Sequence, residues 1–456
     1  MDTDAVIKLL QQHFGLNPRD SKVLVVGLGS TGISVAHYLH KLRFKFAVTD
    51  SRDKPPLLEQ FIQQIPDAPV FTGGFDEMAF QVATHLVVSP GLSLNEKAIT
   101  KAVAGGAKIV SDIDLFACSV PGPIVAITGS NGKSTVTTMV GEMVKAAGLR
   151  AAVGGNLGVP ALELIEQHAD INVIELSSFQ LERTTVLNAT AATVLNVSPD
   201  HLDRHADVAE YARQKQRIFK GNGAMVLNID DAIVDAMYEL DRKTYTFSIK
   251  TQADFYIAEQ AGGEYLMYEQ SPLMPLSALP LEGRHNAANA LAALALGTAI
   301  GLPMEAMCES LRKFKGLEHR MQKVAEIRGV SWVNDSKATN IGACIAALEG
   351  YARKVILIAG GDAKGADMNE LAPVIKQKTK AVVLMGKDGP LIGRVLKASN
   401  VPVYFVDNMV QAVQTAANLA ETGDSVLLSP ACASLDQYKN YQDRGNKFTK
   451  AVLALV

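Results

Sequence analysis

Short apolar runs recur along the chain, and each is followed by glycine or polar residues and then by a longer segment of helical periodicity. The runs lie at residues 23–26, 46–48, 86–88, 124–127, 173–174, 193–195, 330–333, 355–359, 381–385 and 426–428. Continuous apolar runs, without alternation, are typical of strands buried on both faces of a parallel sheet. We therefore predict an α/β protein built on parallel sheets.

Two segments depart from this pattern. Residues 254–282 show alternating apolar positions and prolines at 272, 275 and 280, which predicts small antiparallel strands. Residues 286–300 are rich in Ala and Leu and predict a buried helix that ends at Gly301. Breaker residues near 112–122 and near 315–317 predict three domains, at residues 1–112, 113–316 and 317–456.

The composition narrows the class of protein. The chain has 456 residues, a net charge of −3, 48% hydrophobic residues and 20% charged residues, which predicts a soluble globular protein. We expect no nucleic-acid binding, because no basic block is present. We expect no secretion signal, because the N-terminus MDTDAVIKLL carries acid, and no membrane insertion, because the most apolar segment is too short to span a bilayer. The four cysteines lie far apart, which favours reduced thiols and a cytoplasmic location.

The segment ITGSNGKST, residues 127–135, lies between an apolar run and a helical segment. Backbone N–H groups of such a turn, together with the helix dipole, favour a bound anion. Lys133 adds a positive charge, and Ser134 adds a hydroxyl that can bind Mg²⁺. The first glycine of the usual phosphate-loop pattern falls on Ile127. We predict a nucleoside-triphosphate site, and the alternative is an ordinary turn with a surface lysine.

The segment GLGSTG, residues 27–32, follows the first apolar run, and Asp50 ends the next one. This arrangement is typical of a dinucleotide site, in which the acid binds a ribose hydroxyl. From these residues alone, NAD or FAD, another diphosphate ligand and a purely structural turn all remain open. The triphosphate motif favours another diphosphate ligand, because hydride transfer needs no triphosphate site.

Further polar residues follow later strands. Glu175, in ELSSFQL, could hold Mg²⁺, or the segment could simply be a helix N-terminus that Ser177 or Ser178 caps. Asn156 lies in a glycine-rich loop and could donate to a substrate. His201, in NVSPDHLDRH, could bind a second metal ion or a carboxylate, or be structural. Periodicity alone predicts that Lys215 is an exposed helical lysine.

The last third of the chain carries several strand-end loops that mix small residues with Lys, Arg or Asp. They are HR at 319–320, NDSKATN at 334–340, GGDAKGAD at 360–367 and SPACASLDQYKNYQDRG at 429–445. Ligands of open α/β sheets bind beyond the carboxyl ends of the strands. These loops therefore predict a cleft for an anionic, polar ligand.

Together these motifs resemble the Mur ligase family, the ATP-dependent enzymes that add amino acids during peptidoglycan synthesis. The motifs are TGSNGKST, ELSSFQL, DHLDRH, GRHNAANA, HR at 319–320 and NDSKATN. The resemblance implies a Rossmann-like N-terminal domain for the UDP substrate, a central P-loop-type mononucleotide-binding domain and a Rossmann-like C-terminal domain for the amino acid. GLGSTG with SPG, the GGDAKGAD loop and the C-terminal segment resemble the branch that adds D-glutamate to UDP-N-acetylmuramoyl-L-alanine. The DNPR motif of the lysine- or diaminopimelate-adding branch is missing.

The resemblance also implies which residues form the site. ATP would be bound by Gly129, Ser130, Asn131, Gly132, Lys133, Ser134, Thr135, Asn289, Arg320 and Asp335. The UDP substrate would be bound by Ser30, Thr31, Asp50, Ser51, Arg52, Gly91 and Asn156. D-Glutamate would be bound by Lys337, Thr339, Lys364, Ser434, Leu435 and Tyr441, although family members often have Phe at the last position. Two Mg²⁺ ions would be held by Ser134 and Glu175 and by His201 and Lys215.

In that scheme the catalytic residues are Lys133, His201, Lys215 and Arg320. Lys215 would be a carbamate, which reverses the interpretation from periodicity and requires a lowered lysine pKa. We also expect the third domain to close onto the second about a hinge near Leu317, and the protein to be a monomer. The alternatives are an NAD-dependent oxidoreductase, a non-catalytic nucleotide-binding ATPase and a ligase of the folylpolyglutamate synthase type, which lacks a UDP domain.

Overall fold

The computed structural model describes residues 2–201, 204–260, 262–281, 283–397 and 399–455, and they form three separate sheets. The first sheet consists of β1 (Lys22–Val26), β2 (Lys45–Asp50), β3 (Val70–Thr72), β4 (His85–Val88) and β5 (Lys108–Ile109). Its helices are α1 (Thr3–Phe14), α2 (Ser30–Lys41), α3 (Leu58–Gln64), α4 (Glu77–Val82) and α5 (Lys97–Ala104). The parallel order β3-β2-β1-β4-β5 is that of a Rossmann-like domain.

The second sheet has the order β14-β13-β12-β11-β10-β9-β6-β8-β7. Its strands are β6 (Ile124–Thr128), β7 (Ala151–Gly155), β8 (Ile171–Glu175), β9 (Ala191–Val194), β10 (Ala224–Asn228), β11 (Thr244–Ser248), β12 (Phe255–Gln260), β13 (Gly263–Tyr268) and β14 (Ser271–Pro275). The helices are α6 (Asp112–Ser119), α7 (Lys133–Ala146), α8 (Ala161–Leu164), α9 (Ser178–Leu181), α10 (Val208–Gln216), α11 (Ala232–Asp235), α12 (Arg284–Ala299) and α13 (Met304–Lys313). The predicted antiparallel segment is confirmed, because β13 pairs antiparallel with both β12 and β14.

The third sheet has the order β15-β16-β20-β17-β18-β19. Its strands are β15 (Gln322–Ile327), β16 (Val330–Asn334), β17 (Val355–Gly360), β18 (Thr379–Met385), β19 (Val403–Phe405) and β20 (Ser425–Leu428). The helices are α14 (Ile341–Glu349), α15 (Leu371–Lys378), α16 (Gly389–Val395), α17 (Met409–Leu419) and α18 (Tyr441–Leu453). Short 3₁₀ turns lie at Ile165–Gln167, Arg217–Phe219, Leu276–Ala278 and Met368–Glu370.

The predicted α/β class with three domains is confirmed. Sequence analysis did not identify α1, and it missed seven strands, namely β3, β5, β7, β10, β11, β15 and β19. Of these, β15 is an edge strand that pairs antiparallel with β16. The domain boundaries stay a prediction. Helix α6 begins at the first of them and contacts both α1 and α8, so the chain is packed continuously there.

The predicted helix at residues 286–300 is α12, and it forms the core beside the phosphate loop. It is fully buried at Leu291 and Leu294 and packs against α7. Each fully buried leucine side chain contributes about 1.5–3 kcal/mol relative to an exposed one. This packing holds Asn289, in the second turn of α12, against Gly132 at the start of α7. None of the helices in the described ranges is both long and apolar enough to cross a bilayer.

Candidate active site

The segment between β6 and α7 forms the phosphate loop that the sequence predicts. Gly132 caps α7 with a φ of 83°. A Cβ atom at this position would lie 2.4 Å from Asn289 Oδ1 on α12, so the loop can approach α12 only with glycine here. The loop is braced from β9, because Asn196 accepts hydrogen bonds from the backbone N–H groups of Ser130 and Asn131, at 2.9 and 2.8 Å. These two hydrogen bonds fix the backbone of the loop to the end of β9.

Lys133, the first residue of α7, folds back over this loop. Its Nζ donates to the carbonyl oxygens of Gly129 and Ser130, at 2.8 and 2.9 Å. Burial lowers the pKa of Lys133, and the carboxylate of Glu175 opposes that shift. The ammonium group is thus held at the loop, where it can meet a phosphate.

Glu175 ends β8, the neighbour of β6, so its carboxylate reaches the phosphate loop. One oxygen accepts a hydrogen bond of 2.6 Å from Asn156 Nδ2, and Oε2 is buried with no partner among the described residues. Burial favours the neutral acid, but Lys133, Asn156 and Ser134 outweigh it and hold the pKa below its usual range. An ionised carboxylate with an unsatisfied oxygen beside a serine hydroxyl fits an Mg²⁺ ligand set. Ser177 also caps α9, which is the alternative that the sequence offered, and this cap does not use the Glu175 carboxylate.

Arg320 connects the third domain to the phosphate loop. Its Nη2 donates to Ser134 Oγ at 3.2 Å. Burial lowers the pKa of the guanidinium, and Glu175 and Asp335 oppose that shift. The contact brings a cation from the third domain to the start of α7, next to Lys133 and Glu175.

The interpretation of Lys215 from periodicity alone is wrong. The residue is 1% exposed, and its Nζ donates to Gly129 O at 2.8 Å and lies 4.4 Å from the centre of the Tyr211 ring. Burial, with repulsion from Lys133, lowers its pKa well below the usual value. An amine in this environment is readily deprotonated, which is the state that carbamate formation needs.

Asp200 joins the second domain to two loops of the third. Lys364 Nζ donates to Oδ1 at 2.6 Å, and Asn340 Nδ2 donates to Oδ2 at 3.0 Å. Burial opposes ionisation, but His201 and Lys364 hold the pKa of Asp200 at about 2. His201 Nε2 lies 3.7 Å from Oδ2, and its ring meets Phe179 edge to face. The next two residues of the DHLDRH motif, Leu202 and Asp203, lie outside the described residues.

The strand-end loops of the third domain meet at the carboxyl ends of its parallel strands. Asp335 follows β16, and its Oδ2 accepts a hydrogen bond of 2.9 Å from Ser429 Oγ, which follows β20. Burial raises the pKa of Asp335 to about 7. Lys337 Nζ lies 4.0 Å from the Tyr441 ring centre, and burial with repulsion from Arg320 lowers its pKa to about 8.

Residues of the second and third domains surround one cavity. It is lined by Ser130, Asn131, Lys133, Ser134, Asn156, Glu175, His201, Lys215, Arg320, Asp335, Lys337 and Thr339, among others. A neighbouring cavity adjoins Gly132, Thr135 and Asn289 and shares Arg320 and Asp335 with the first. Lys364 reaches the first cavity through Asp200. Ser434 and Leu435 do not line either cavity: Ser434 is buried, and Leu435 is 73% exposed.

The glycine turn of the first domain borders a separate cleft. Ser30, Thr31, Asp50, Ser51, Arg52 and Gly91 line it from the first domain, and Asn156 and Gln180 line it from the second. Asp50 Oδ2 accepts the Leu28 N–H at 2.7 Å, and both carboxylate oxygens accept from Arg52. Burial opposes ionisation here too, but Arg52 holds the pKa of Asp50 at about 2. The acid that a dinucleotide site would offer to ribose is therefore engaged in ordering the turn.

Sequence reasoning missed Arg444, a residue that organises these loops. Arg444 is fully buried and donates to Ser336 Oγ and O and to the carbonyl oxygens of Cys432 and Ala433. It joins the loops after β16 and β20. No spacing rule marks it, because its partners are backbone groups and a hydroxyl.

Comparison with known proteins agrees with this architecture. Residues 21–111 match the family described as Mur ligase MurD-like, N-terminal domain; residues 127–297 match the Mur ligase middle domain; and residues 319–432 match the Mur ligase glutamate ligase domain. The chain belongs to the Mur ligase family. Members of this family are ATP-dependent ligases, so the enzyme class that the motifs implied is confirmed.

Similar proteins cover nearly the whole chain. A protein of Methylococcus capsulatus named UDP-N-acetylmuramoylalanine--D-glutamate ligase is 53% identical, over 97% of this chain and 96% of its own length. A protein of Nitrosococcus oceani with the same name is 49% identical, over 94% and 96%. The solved structure of UDP-N-acetylmuramate-alanine ligase MurC from Thermotoga maritima superposes with a TM-score of 0.62 over 96% of this chain and all of that one, at 16% identity, and shows a shared fold.

Proposed function

We propose that this ligase adds D-glutamate to UDP-N-acetylmuramoyl-L-alanine with consumption of ATP, as a monomer in the cytoplasmic synthesis of peptidoglycan precursors. The observation that carries the proposal is the position of Asn156. It lines both the cleft beside the glycine turn and the cavity at the phosphate loop, so the two spaces adjoin at this residue. A long substrate can therefore place UDP against the first domain and its terminal carboxylate near a triphosphate.

The reaction needs two transfers. The alanine carboxylate oxygen attacks the γ-phosphorus, and the bond from that phosphorus to the β-phosphate oxygen breaks. The products of this step are ADP and an acyl phosphate. The D-glutamate amine then attacks the acyl carbon, loses a proton, and expels inorganic phosphate to give the amide. The protein contributes mainly position and charge neutralisation to such transfers.

The chain places cationic side chains where the transferred phosphate carries negative charge. Lys133 and Arg320 lie at the phosphate loop, and Lys337 lines the same cavity. We assign ATP to Gly129–Thr135 with Asn289 and Asp335. Of these, Asn289 and Gly132 line the adjoining cavity that is suited to the base.

Two Mg²⁺ sites complete the proposal. Ser134 and Glu175 would hold the first ion, and His201 and Lys215 the second. Mg²⁺ would neutralise charge on the phosphate oxygens. Among the described residues, no group of three or more His, Cys, Asp and Glu side chains could hold a metal ion, so the second site depends on a carbamate at Lys215. That group forms when the neutral amine attacks CO₂ and a proton is released, and the low pKa of the buried amine supports it.

The amino-acid pocket is assigned to Lys337, Thr339, Lys364, Ser434, Leu435 and Tyr441. Lys364 is bound to Asp200, so a D-glutamate carboxylate would compete with that carboxylate for the ammonium group. Of these six residues, Lys337 and Thr339 line the cavity, Lys364 reaches it through Asp200, and the Tyr441 ring packs on Lys337. Ser434 and Leu435 would have to reach the substrate from outside the cavity.

The test is phosphate release from ATP with UDP-N-acetylmuramoyl-L-alanine and a panel of amino acids. We expect release with D-glutamate and none with L-glutamate or L-lysine. Arg320→Met should lose at least about a hundredfold in kcat, as removal of a charge-stabilising donor typically does. Arg312→Met, at an exposed site on α13, is the control and should keep its activity. Release without an amino acid, or with L-lysine alone, would contradict the proposal.

A further inference from the structure

A buried arginine of the second domain holds a loop of the first. Arg183 has no exposed side-chain surface. Its Nη1 donates to the carbonyl oxygens of Val88 and Ser89, both at 2.9 Å, and its Nη2 donates to Leu92 O at 3.1 Å. These three carbonyls belong to the last residue of β4 and to the loop that follows it, a segment (residues 88–92) called the UDP-binding loop below. A guanidinium with five rigidly directed N–H groups suits such a set of acceptors, and the ammonium group of lysine does not.

A second arginine meets the same loop from outside. Arg204 Nη1 donates to Gly91 O and its Nη2 to Leu92 O, both at 3.1 Å. Its guanidinium lies 4.7 Å from the centre of the Phe179 ring on α9. The two arginines therefore fix four of the five carbonyls of residues 88–92 to the second domain.

The held loop forms one wall of the UDP cleft and supports the glycine turn. Ser89 Oγ donates to Gly27 O at 3.1 Å, and a Cβ atom at Gly27 would lie 2.8 Å from that hydroxyl. Ser89, Pro90, Gly91 and Leu92 line the cleft directly. A shift of the loop would move both the cleft wall and the turn that faces it.

Arg183 is also close in sequence to β8, the strand that carries Glu175 to the phosphate loop. Glu175 ends β8, α9 follows within three residues, and Arg183 comes two residues after α9 ends. Gln180 on α9 lines the UDP cleft, and its Nε2 lies 3.4 Å from Asp112 Oδ2. One short segment thus joins the carboxylate at the phosphate loop to the wall of the UDP cleft.

We propose that Arg183, assisted by Arg204, is a positioning residue that fixes the UDP-binding loop 88–92 at a set distance from the phosphate loop. This inference rests on the proposed function, because the distance matters only when one substrate spans both clefts. Neither arginine needs to touch the substrate. They act by setting where the UDP moiety of the substrate lies when the alanine carboxylate of the same substrate meets the γ-phosphate of ATP.

The test compares Arg183→Met, Arg183→Lys and Arg204→Met with Arg242→Met. Arg242 is a matched control, because it is also largely buried and bonds backbone carbonyls, those of Gly223 and Phe219, but within the second domain. The measurements are UDP binding by calorimetry, which needs no turnover, KM for each substrate, and the melting temperature. Loss of one or two hydrogen bonds from a buried charged group corresponds to a change of about tenfold to a hundredfold.

We expect Arg183→Met to weaken UDP binding and raise KM for the UDP substrate by about tenfold to a hundredfold, while KM for ATP changes less than about twofold. Arg183→Lys should recover part of the loss, and Arg204→Met should show a smaller one. Arg242→Met should lower the melting temperature and leave KM for the UDP substrate unchanged. If Arg183→Met does not fold, Arg183→Lys and Arg204→Met carry the test.

Unchanged UDP binding in the Arg183 and Arg204 variants would overturn the inference, as would equal increases in every KM. These results can be told apart from failure of the proposed function. A wild-type chain that binds UDP but prefers another amino acid contradicts the function, and the calorimetry still tests the loop. A wild-type chain that does not bind UDP overturns both.

Discussion

Asp335 should make the stability of the third domain depend on pH in a direction that is unusual for a carboxylate. Burial raises its folded pKa to about 7, against an ordinary value of 3.8. Between these values the unfolded chain is ionised and the folded chain holds the proton. The unfolded state therefore binds fewer protons, and the free energy of unfolding falls as pH rises through this window.

The size of the effect follows from the two pKa values. Each pKa difference of one corresponds to 1.36 kcal/mol, so the contribution lost between pH 4 and pH 7 is about 4 kcal/mol. Asp335→Asn removes the titrating carboxyl group and keeps the size and shape of the side chain. Its amide oxygen can still accept the Met321 N–H, and the amide nitrogen can donate to Ser429 Oγ, whose hydrogen can turn away. At pH 4.5 the variant should therefore lie within about 1 kcal/mol of the wild type.

The chain carries its own probe for this measurement. Trp332 is its single tryptophan, is 1% exposed, and lies on β16 three residues before Asp335. Urea unfolding followed by Trp332 fluorescence, without nucleotide, reports the third domain at each pH. Relative to the wild type, Asp335→Asn should gain about 3 kcal/mol between pH 4.5 and pH 8, at an unchanged m-value.

Asp362→Asn is the matched control for this experiment. Asp362 lies in the same domain, but a backbone hydrogen bond from Lys364 and the nearby Lys387 hold its pKa below the ordinary value. It is ionised throughout the range, so its variant should differ from the wild type by a constant amount. Parallel curves for Asp335→Asn and the wild type across pH 4.5–8 would refute the reasoning.

Three further predictions concern the phosphate loop and the domain arrangement. Gly132→Ala should lower the free energy of unfolding by about 1–3 kcal/mol and raise KM for ATP, because it adds backbone strain and a clash with Asn289. Gly148→Ala is the control, since Gly148 has a similar φ with nothing within 4 Å, and it should show the strain alone. Equal losses of stability in the two variants would exclude the clash. Lys215→Ala should lose activity and regain part of it with added short carboxylates, and the absence of rescue would leave the carbamate unsupported. Small-angle scattering should show a smaller radius with ATP and the UDP substrate, through a hinge near Leu317, and an unchanged radius would count against closure.

The strands that the apolar runs identified, and the phosphate loop, could be predicted because their determinants are local. A buried parallel strand requires a continuous apolar run, and the turn after β6 requires glycine where φ is positive. Both requirements are met by neighbouring residues. The strand β15 was missed for the same reason, since QKVAEI carries three polar residues and obtains its place only by pairing with β16.

Residue environments were not predictable in the same way. Lys215 lies on a helix whose periodicity suggests an exposed lysine, and it is buried because Thr128, Gly129 and Tyr211 surround its side chain. Resemblance to the family corrected that expectation before the structure did. Arg183 and Arg444 carried no signal at all, because they bind mostly backbone carbonyls, which every residue offers.

The sequence by itself determined the kind of elements, their order, and the polar residues at strand ends, because these depend on residues within a few positions of one another. Only the tertiary structure decided which of those residues meet. Lys364 and Asp200 are 164 residues apart, Arg320 and Ser134 are 186 apart, and Arg183 lies more than 90 residues from the carbonyls it holds. The contacts and burial of these side chains follow from packing between domains, which no local pattern encodes.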